Sequence, residues 1–215
     1  MALKLYLHPL ASYCHKVLIA LYENDTPFEP RLVDHGDPEN LAAFRAVWPP
    51  AKMPVLRDEA RDRTLPETSV IIEYLAQHYP GPTRFLPADP DLALEVRLWD
   101  RIFDLYLHTP MQNVVADRIR PADAKDPYGV AAARNQLTMA CEMIEGRMAD
   151  RTWAVGETFT LADCAAAPAL YYADRIAPLG EAFPATAAYL QRLKARPSFA
   201  RTLAEAEPYF HMFPG

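Results

Sequence analysis

The sequence predicts a mixed α/β domain followed by an all-helical one, and three observations carry that prediction. Up to about residue 76, short apolar strands alternate with helix-patterned segments. The stretch YPGPTRFLPADP, Tyr79 to Pro90, then interrupts the pattern as a proline-rich connector. Beyond Asp91 apolar residues recur only at helical spacing, and no further strand signal follows. The expected division is an α/β domain over 1–78, a linker over 79–90 and a helical domain over 91–215.

In chain order, LKLYLH is the first strand, and SYCHKVLIALYEN a helix with Val17, Leu18, Leu21 and Tyr22 on one face. PFEPRLVD reads as a second strand and PENLAAFRAV as a short helix. MPVLRD and RTLPE are two adjacent strands, closed by a helix over TSVIIEYLAQHY. In the second half, Leu92, Val96, Trp99 and Phe103 repeat at helical intervals, as do Val130, Leu137, Cys141, Ile144 and Met148. Pro110 is expected to kink or end the first long helix, and Pro168 to bend a later one.

Composition narrows the function. A net charge of −6 with no basic stripe argues against nucleic acid as main partner. The apolar runs are far shorter than a membrane span, and MALKLYLHPL lacks a signal peptide's long apolar core, so a cytoplasmic protein is expected. Cys14, Cys141 and Cys164 form no CxxC pair and fit reduced thiols, the latter two as small buried hydrophobes. The histidines and acids show no metal-ligand spacing, so no metal is expected. The 21 prolines fall singly between periodic segments, as punctuation.

Several short stretches carry chemistry. In FTLAD, Thr160 followed three residues later by Asp163 is a capping box, which makes Asp163 a folding residue. In LPETSVIIEYL, Glu67 and Thr68 stand where a strand ends and a helix starts. The free amides of such a helix end accept a carboxylate, Thr68 adds a donor and Glu67 takes an ammonium group, a set suited to an α-amino-acid head. The alternative is that the two residues only cap the helix. In SYCHK, Ser12 is either a helix cap or a hydroxyl donor at a reactive site.

Four motifs together resemble the soluble glutathione transferases: HPLASYCHKVLIAL, WPPAKMPVL, LPETSVIIEYL and FTLADCAAAP, in that order along the chain. The resemblance implies a thioredoxin-like N-terminal domain, an all-α C-terminal domain, glutathione as co-substrate, a homodimer and a detoxifying transferase. It implies a cis Met53-Pro54 bond whose flanking backbone pairs with the ligand as a strand would, with Lys52 offering charge to a carboxylate; an ordinary edge-strand proline is the alternative. Relatives carry a hydroxyl or a cysteine at the first position of the turn, where this sequence has Ala11, and Ser12 is next along.

Holding glutathione as thiolate at neutral pH takes a shift of about two units, roughly 2.7 kcal/mol. One hydroxyl bond to a charged acceptor supplies about 1.5–3 kcal/mol, and a helix N-terminus about 0.3–1 kcal/mol. Ser12 is therefore the expected catalytic residue. Tyr6 and His15 rank lower, and with Ala11 in first place Cys14 does not suit disulfide chemistry. The expected second substrate is a small hydrophobic electrophile, in a pocket walled by Tyr106, Met111, Val115 and Arg118. A glutathione-dependent isomerase or dehalogenase is one alternative, and a binding protein with weak chemistry is another.

Overall fold

The computed structural model describes residues 2–214. Its first unit runs β1 (Leu3–Leu7), α1 (Ser12–Glu23), β2 (Glu29–Leu32), α2 (Pro38–Val47), β3 (Val55–Asp58), β4 (Arg63–Leu65) and α3 (Thr68–His78). The sheet order is β2-β1-β3-β4; β1 pairs parallel with β2 and antiparallel with β3, and β3 antiparallel with β4. The parallel pair needs a crossover, which α1 supplies, whereas β3 and β4 need only a tight turn. Alternation sets the two faces. Leu3, Leu5 and Leu7 are buried with Val17, Leu18 and Leu21 of α1 and Ile71, Ile72 and Leu75 of α3. Tyr6 points the other way, into a smaller cluster of Val33, Phe44, Ala51 and Val55 beneath α2.

The second unit is α4 (Pro90–Ile102), a π-helical turn (Phe103–His108), α5 (Thr109–Ile119), α6 (Pro127–Met148), α7 (Leu161–Ile176), α8 (Pro184–Ala195) and α9 (Pro197–Ala206), with short 3-10 turns at Ala122–Ala124 and Glu207–Met212. Caps agree with sequence: Asp37, Asp89 and Asp126 each accept from backbone amides of the first helical turn, ahead of a proline at the helix start. Pro110 neither ends the helix nor stands in its interior: it falls in the first turn of α5, directly after the π turn. Pro110 has no N–H for the carbonyl four residues back, and the wider turn before it absorbs that loss. Pro168 lies inside α7 without ending it.

The centre of the helical unit is α7, whose small residues Ala165, Ala166, Ala167 and Ala169 are fully buried and let α1 and α4 approach closely. Its start is held by Asp163, as the capping box predicts. That buried carboxylate accepts from Thr160 N (2.8 Å), Thr160 Oγ1 (2.9 Å), Ala154 N (2.9 Å) and Tyr189 OH (2.5 Å). Among the described residues no helix is long and apolar enough to cross a membrane, and no group of three or more metal-ligating side chains converges.

Candidate functional site

A cavity of about 550 Å³ opens between the two units. One wall comes from the α/β side: Lys52, Met53 and Pro54 ahead of β3, and Glu67 and Thr68 at the start of α3. All five glutathione-site candidates from the sequence thus share one surface, with Trp48 and Pro50 beside them. The Met53-Pro54 bond is cis.

Glu67 is the N-cap of α3, yet its side chain makes no capping bond, and its backbone sits at φ 69°, ψ 111°. A positive φ is costly for a residue with a Cβ, about 1–3 kcal/mol, and is kept where surrounding structure enforces it. Thr68, the first helical residue, is buried at the cleft. The wall therefore offers an exposed carboxylate, a hydroxyl and free helix amides within one turn.

The start of α1 departs from the sequence reading. The N-cap is Ala11, not Ser12, and no side chain caps the helix. Ser12 is nearly buried and is not part of the cleft lining; its Oγ lies 2.6 Å from Nε2 of His108. The residue here that does line the cleft is Tyr13. Its ring stacks on His108, centroids 3.9 Å apart, and its hydroxyl donates to the Asp104 carbonyl at 3.2 Å. Burial, reinforced by the charge of Asp104, pushes the Tyr13 phenol up to about 12, so it is a donor and not a base.

Cys14 and His15 are both fully buried. Burial raises the Cys14 thiol to about 12 and lowers His15 to about 4, while His15 Nε2 sits 2.6 Å from the Pro9 carbonyl. Neither faces the cleft. Tyr6 belongs to a separate cavity of about 390 Å³ between β2 and α2.

The second wall corrects the sequence reading. It consists of Arg101, Asp104, Leu105, Thr109 and Gln112, and none of Tyr106, Met111, Val115 and Arg118 lines the cleft. Met111 is buried in the core, Val115 packs against that core, and Arg118 donates to the Pro214 carbonyl at 3.0 Å. Tyr106 is exposed outside the cavity. The cause is helix phase. The core stripe Val96, Trp99, Phe103 continues to Leu107, Met111 and Val114, which takes Met111 into the core and away from the cleft. The cleft face lies one step round, at 101, 104–105, 109 and 112. The wall is more polar than a site for a purely apolar molecule.

Beneath the cleft lies a buried ionic cluster that sequence reasoning missed. Lys16 of α1, with no exposed surface, reaches Asp100 Oδ1 at 2.5 Å, Asp104 Oδ2 at 2.7 Å and Ser69 Oγ at 3.0 Å. Ser69 donates to Asp100 Oδ2 at 2.7 Å. Arg101, half in solvent, closes the cluster with Nη2 2.5 Å from Asp104 Oδ2 and 2.9 Å from Asp100 Oδ2. Burial pushes the Asp104 carboxyl up, against the opposing pull of Lys16. The cluster ties α1 and α3 to α4 and fixes Arg101 and Asp104 at the cleft. Its signals in the sequence are a lysine within the apolar run HKVLIAL and acids on the core face of α4.

Two family models match the chain: glutathione S-transferase N-terminal domain over residues 5–83, and glutathione S-transferase C-terminal domain over residues 106–197. Bovine glutathione S-transferase theta-1 is 30% identical, over 91% of this chain and 83% of the relative. Escherichia coli glutathione S-transferase GstB is 26% identical, over 87% and 91% respectively. A glutathione S-transferase of Methylobacillus flagellatus, solved with glutathione bound, superposes with a TM-score of 0.84 at 25% identity, covering 93% of this chain and 98% of that one. Another, from Methylobacterium radiotolerans in complex with glutathione sulfonate, gives 0.80 at 29% identity, covering 93% of each.

Proposed function

The chain belongs to the glutathione S-transferase family, and from that premise we propose that it binds glutathione in the interdomain cleft and conjugates it, through its thiolate sulfur, to a small electrophile. The observation that carries this reading is the convergence of Lys52, Met53, Pro54, Glu67 and Thr68 on one cleft wall at the start of α3. The Glu67 carboxylate takes the ammonium group of the γ-glutamyl head, and the Thr68 hydroxyl with the α3 amides takes its carboxylate. Lys52 answers a second carboxylate. Ser12, at the N-terminus of α1, is the proposed donor to the sulfur. The electrophile lies against Leu105, Thr109 and Gln112, a wall that favours a molecule with hydrogen-bonding groups.

Glutathione titrated calorimetrically into the wild type and into Glu67→Ala tests the site. The variant is expected to bind about 1.5–3 kcal/mol more weakly, the value of a hydrogen bond to a charged group. Equal affinities would remove Glu67 from the site. Turnover with an aryl halide, run alongside, separates the transferase from a binding protein with weak chemistry. The latter reading is favoured by one feature, the absence of Ser12 from the cleft lining.

A homodimer is part of the proposal. Val70 of α3 and Leu94, Leu98 and Leu105 along α4 and the π turn are each more than half exposed, and Leu105 also lines the cleft. Such a stripe suits burial against a second subunit. Leu98→Arg is expected to shift the sedimentation coefficient towards that of a monomer; unchanged sedimentation would place any interface elsewhere.

A further inference from the structure

The His108–Ser12 pair joins the helical domain to the start of α1. His108 is fully buried, its Nε2 lies 2.6 Å from Ser12 Oγ, and its Nδ1 has no hydrogen-bond partner. Burial, with the Lys16 charge second, pulls the imidazole down to about 3, so the ring is neutral and carries one N–H. Placing that hydrogen on Nδ1 would orphan a buried donor, whereas an unfilled lone pair there costs less. The favoured tautomer therefore has Nε2–H donating to Ser12 Oγ. That leaves the serine hydrogen free for another acceptor, and a hydroxyl that already accepts one bond is the stronger donor in the next. The ring cannot easily turn away, because it is stacked on Tyr13 at an interplanar angle of 14°.

Resting on the reading that Ser12 serves the bound sulfur, we propose that His108 is its positioning residue: from the second domain it fixes the Ser12 hydroxyl as a donor to the glutathione thiolate. His108 touches neither sulfur nor electrophile and exchanges no proton. Its contribution is orientation and polarisation.

Two variants split the ring's roles. His108→Phe keeps an aromatic face for Tyr13 but loses the N–H, and His108→Gln places an N–H where Nε2 stood. Each is titrated with saturating glutathione, reading the thiolate by its ultraviolet absorbance, with kcat and the KM for glutathione measured alongside. His108→Phe is expected to raise the bound thiol's pKa by about one unit, from about 6.5 to about 7.5, which leaves roughly threefold less thiolate at about pH 7. It should lower kcat with little change in KM, and His108→Gln should recover most of both. In a Ser12→Ala background, His108→Phe should move the thiol no further.

An unmoved thiol pKa in His108→Phe, equal shifts in the Phe and Gln variants, or an added shift in the Ser12→Ala background would each overturn the proposal. If His108→Phe fails to fold, His108→Asn, too short to reach Ser12, reads the same quantity. A wild type that binds glutathione without forming thiolate would refute the inference and the transferase chemistry while leaving the glutathione site; one that binds no glutathione would refute the functional reading as a whole.

Discussion

Lys16→Met is expected to destabilise the protein by about 3–5 kcal/mol, the usual cost of removing one partner from a buried ion pair. Lys16 has no exposed surface and lies within 2.7 Å of two carboxylates that are themselves almost fully buried, Asp100 and Asp104. Without it the two acids face each other in the interior, and only Arg101, whose side chain is 44% exposed, remains to neutralise them. The methionine chain replaces the lysine stem, so the loss is electrostatic and not a cavity. A control follows from the same physics: adding Asp100→Asn and Asp104→Asn to Lys16→Met should recover part of the loss, because the uncompensated charge disappears. Urea unfolding curves of the three proteins test this. A cost below about 1 kcal/mol for Lys16→Met, the range of exposed pairs, would mean that water reaches the cluster.

This cluster also marks where reading the sequence stopped. The helices and strands were legible because their apolar residues repeat at period 3.6 or 2; PENLAAFRAV, for instance, coincides with α2, Pro38–Val47. Asp163 was legible because a capping box is local, complete within four residues. Of the residues that share the cleft wall, Glu67 and Thr68 stand out in the sequence because a strand ends and a helix starts there, whereas Lys52, Met53 and Pro54 are singled out only by the family resemblance of WPPAKMPVL. Lys16 was not legible, since a lysine on a helix ordinarily reaches solvent, and its partners lie on a helix of the other domain. Ser12 has the residue type of an N-cap, but the hydroxyl goes to His108 across the domain interface. The second wall was misplaced by a helix phase that a π turn and Pro110 complicate.

Acid should weaken the fold well before the surface carboxylates titrate, and His15 and His108 are the reason. Both are fully buried, and burial holds them neutral, His15 down to about 4 and His108 to about 3. His15 is surrounded by the Pro9 carbonyl and the rings of Tyr172 and Phe199. His108 is surrounded by Ser12 and Tyr13, with the Lys16 cation nearby. In the unfolded chain both titrate near 6.5. Between that value and their folded values the unfolded state binds protons that the folded state does not, so stability falls as pH falls. Each histidine contributes a slope approaching 1.4 kcal/mol per pH unit, on the order of 2 kcal/mol each by pH 5. The stability is fully present above pH 6.5, and the loss levels off below the folded values. Asp58 and Glu145, whose carboxyls are held below their usual range by hydrogen bonds, add their own loss at lower pH. Urea unfolding between pH 7.5 and 5 measures the slope, and His108→Gln should remove about half of it. A free energy of unfolding that stays flat across that interval would show that both imidazoles protonate in the folded state.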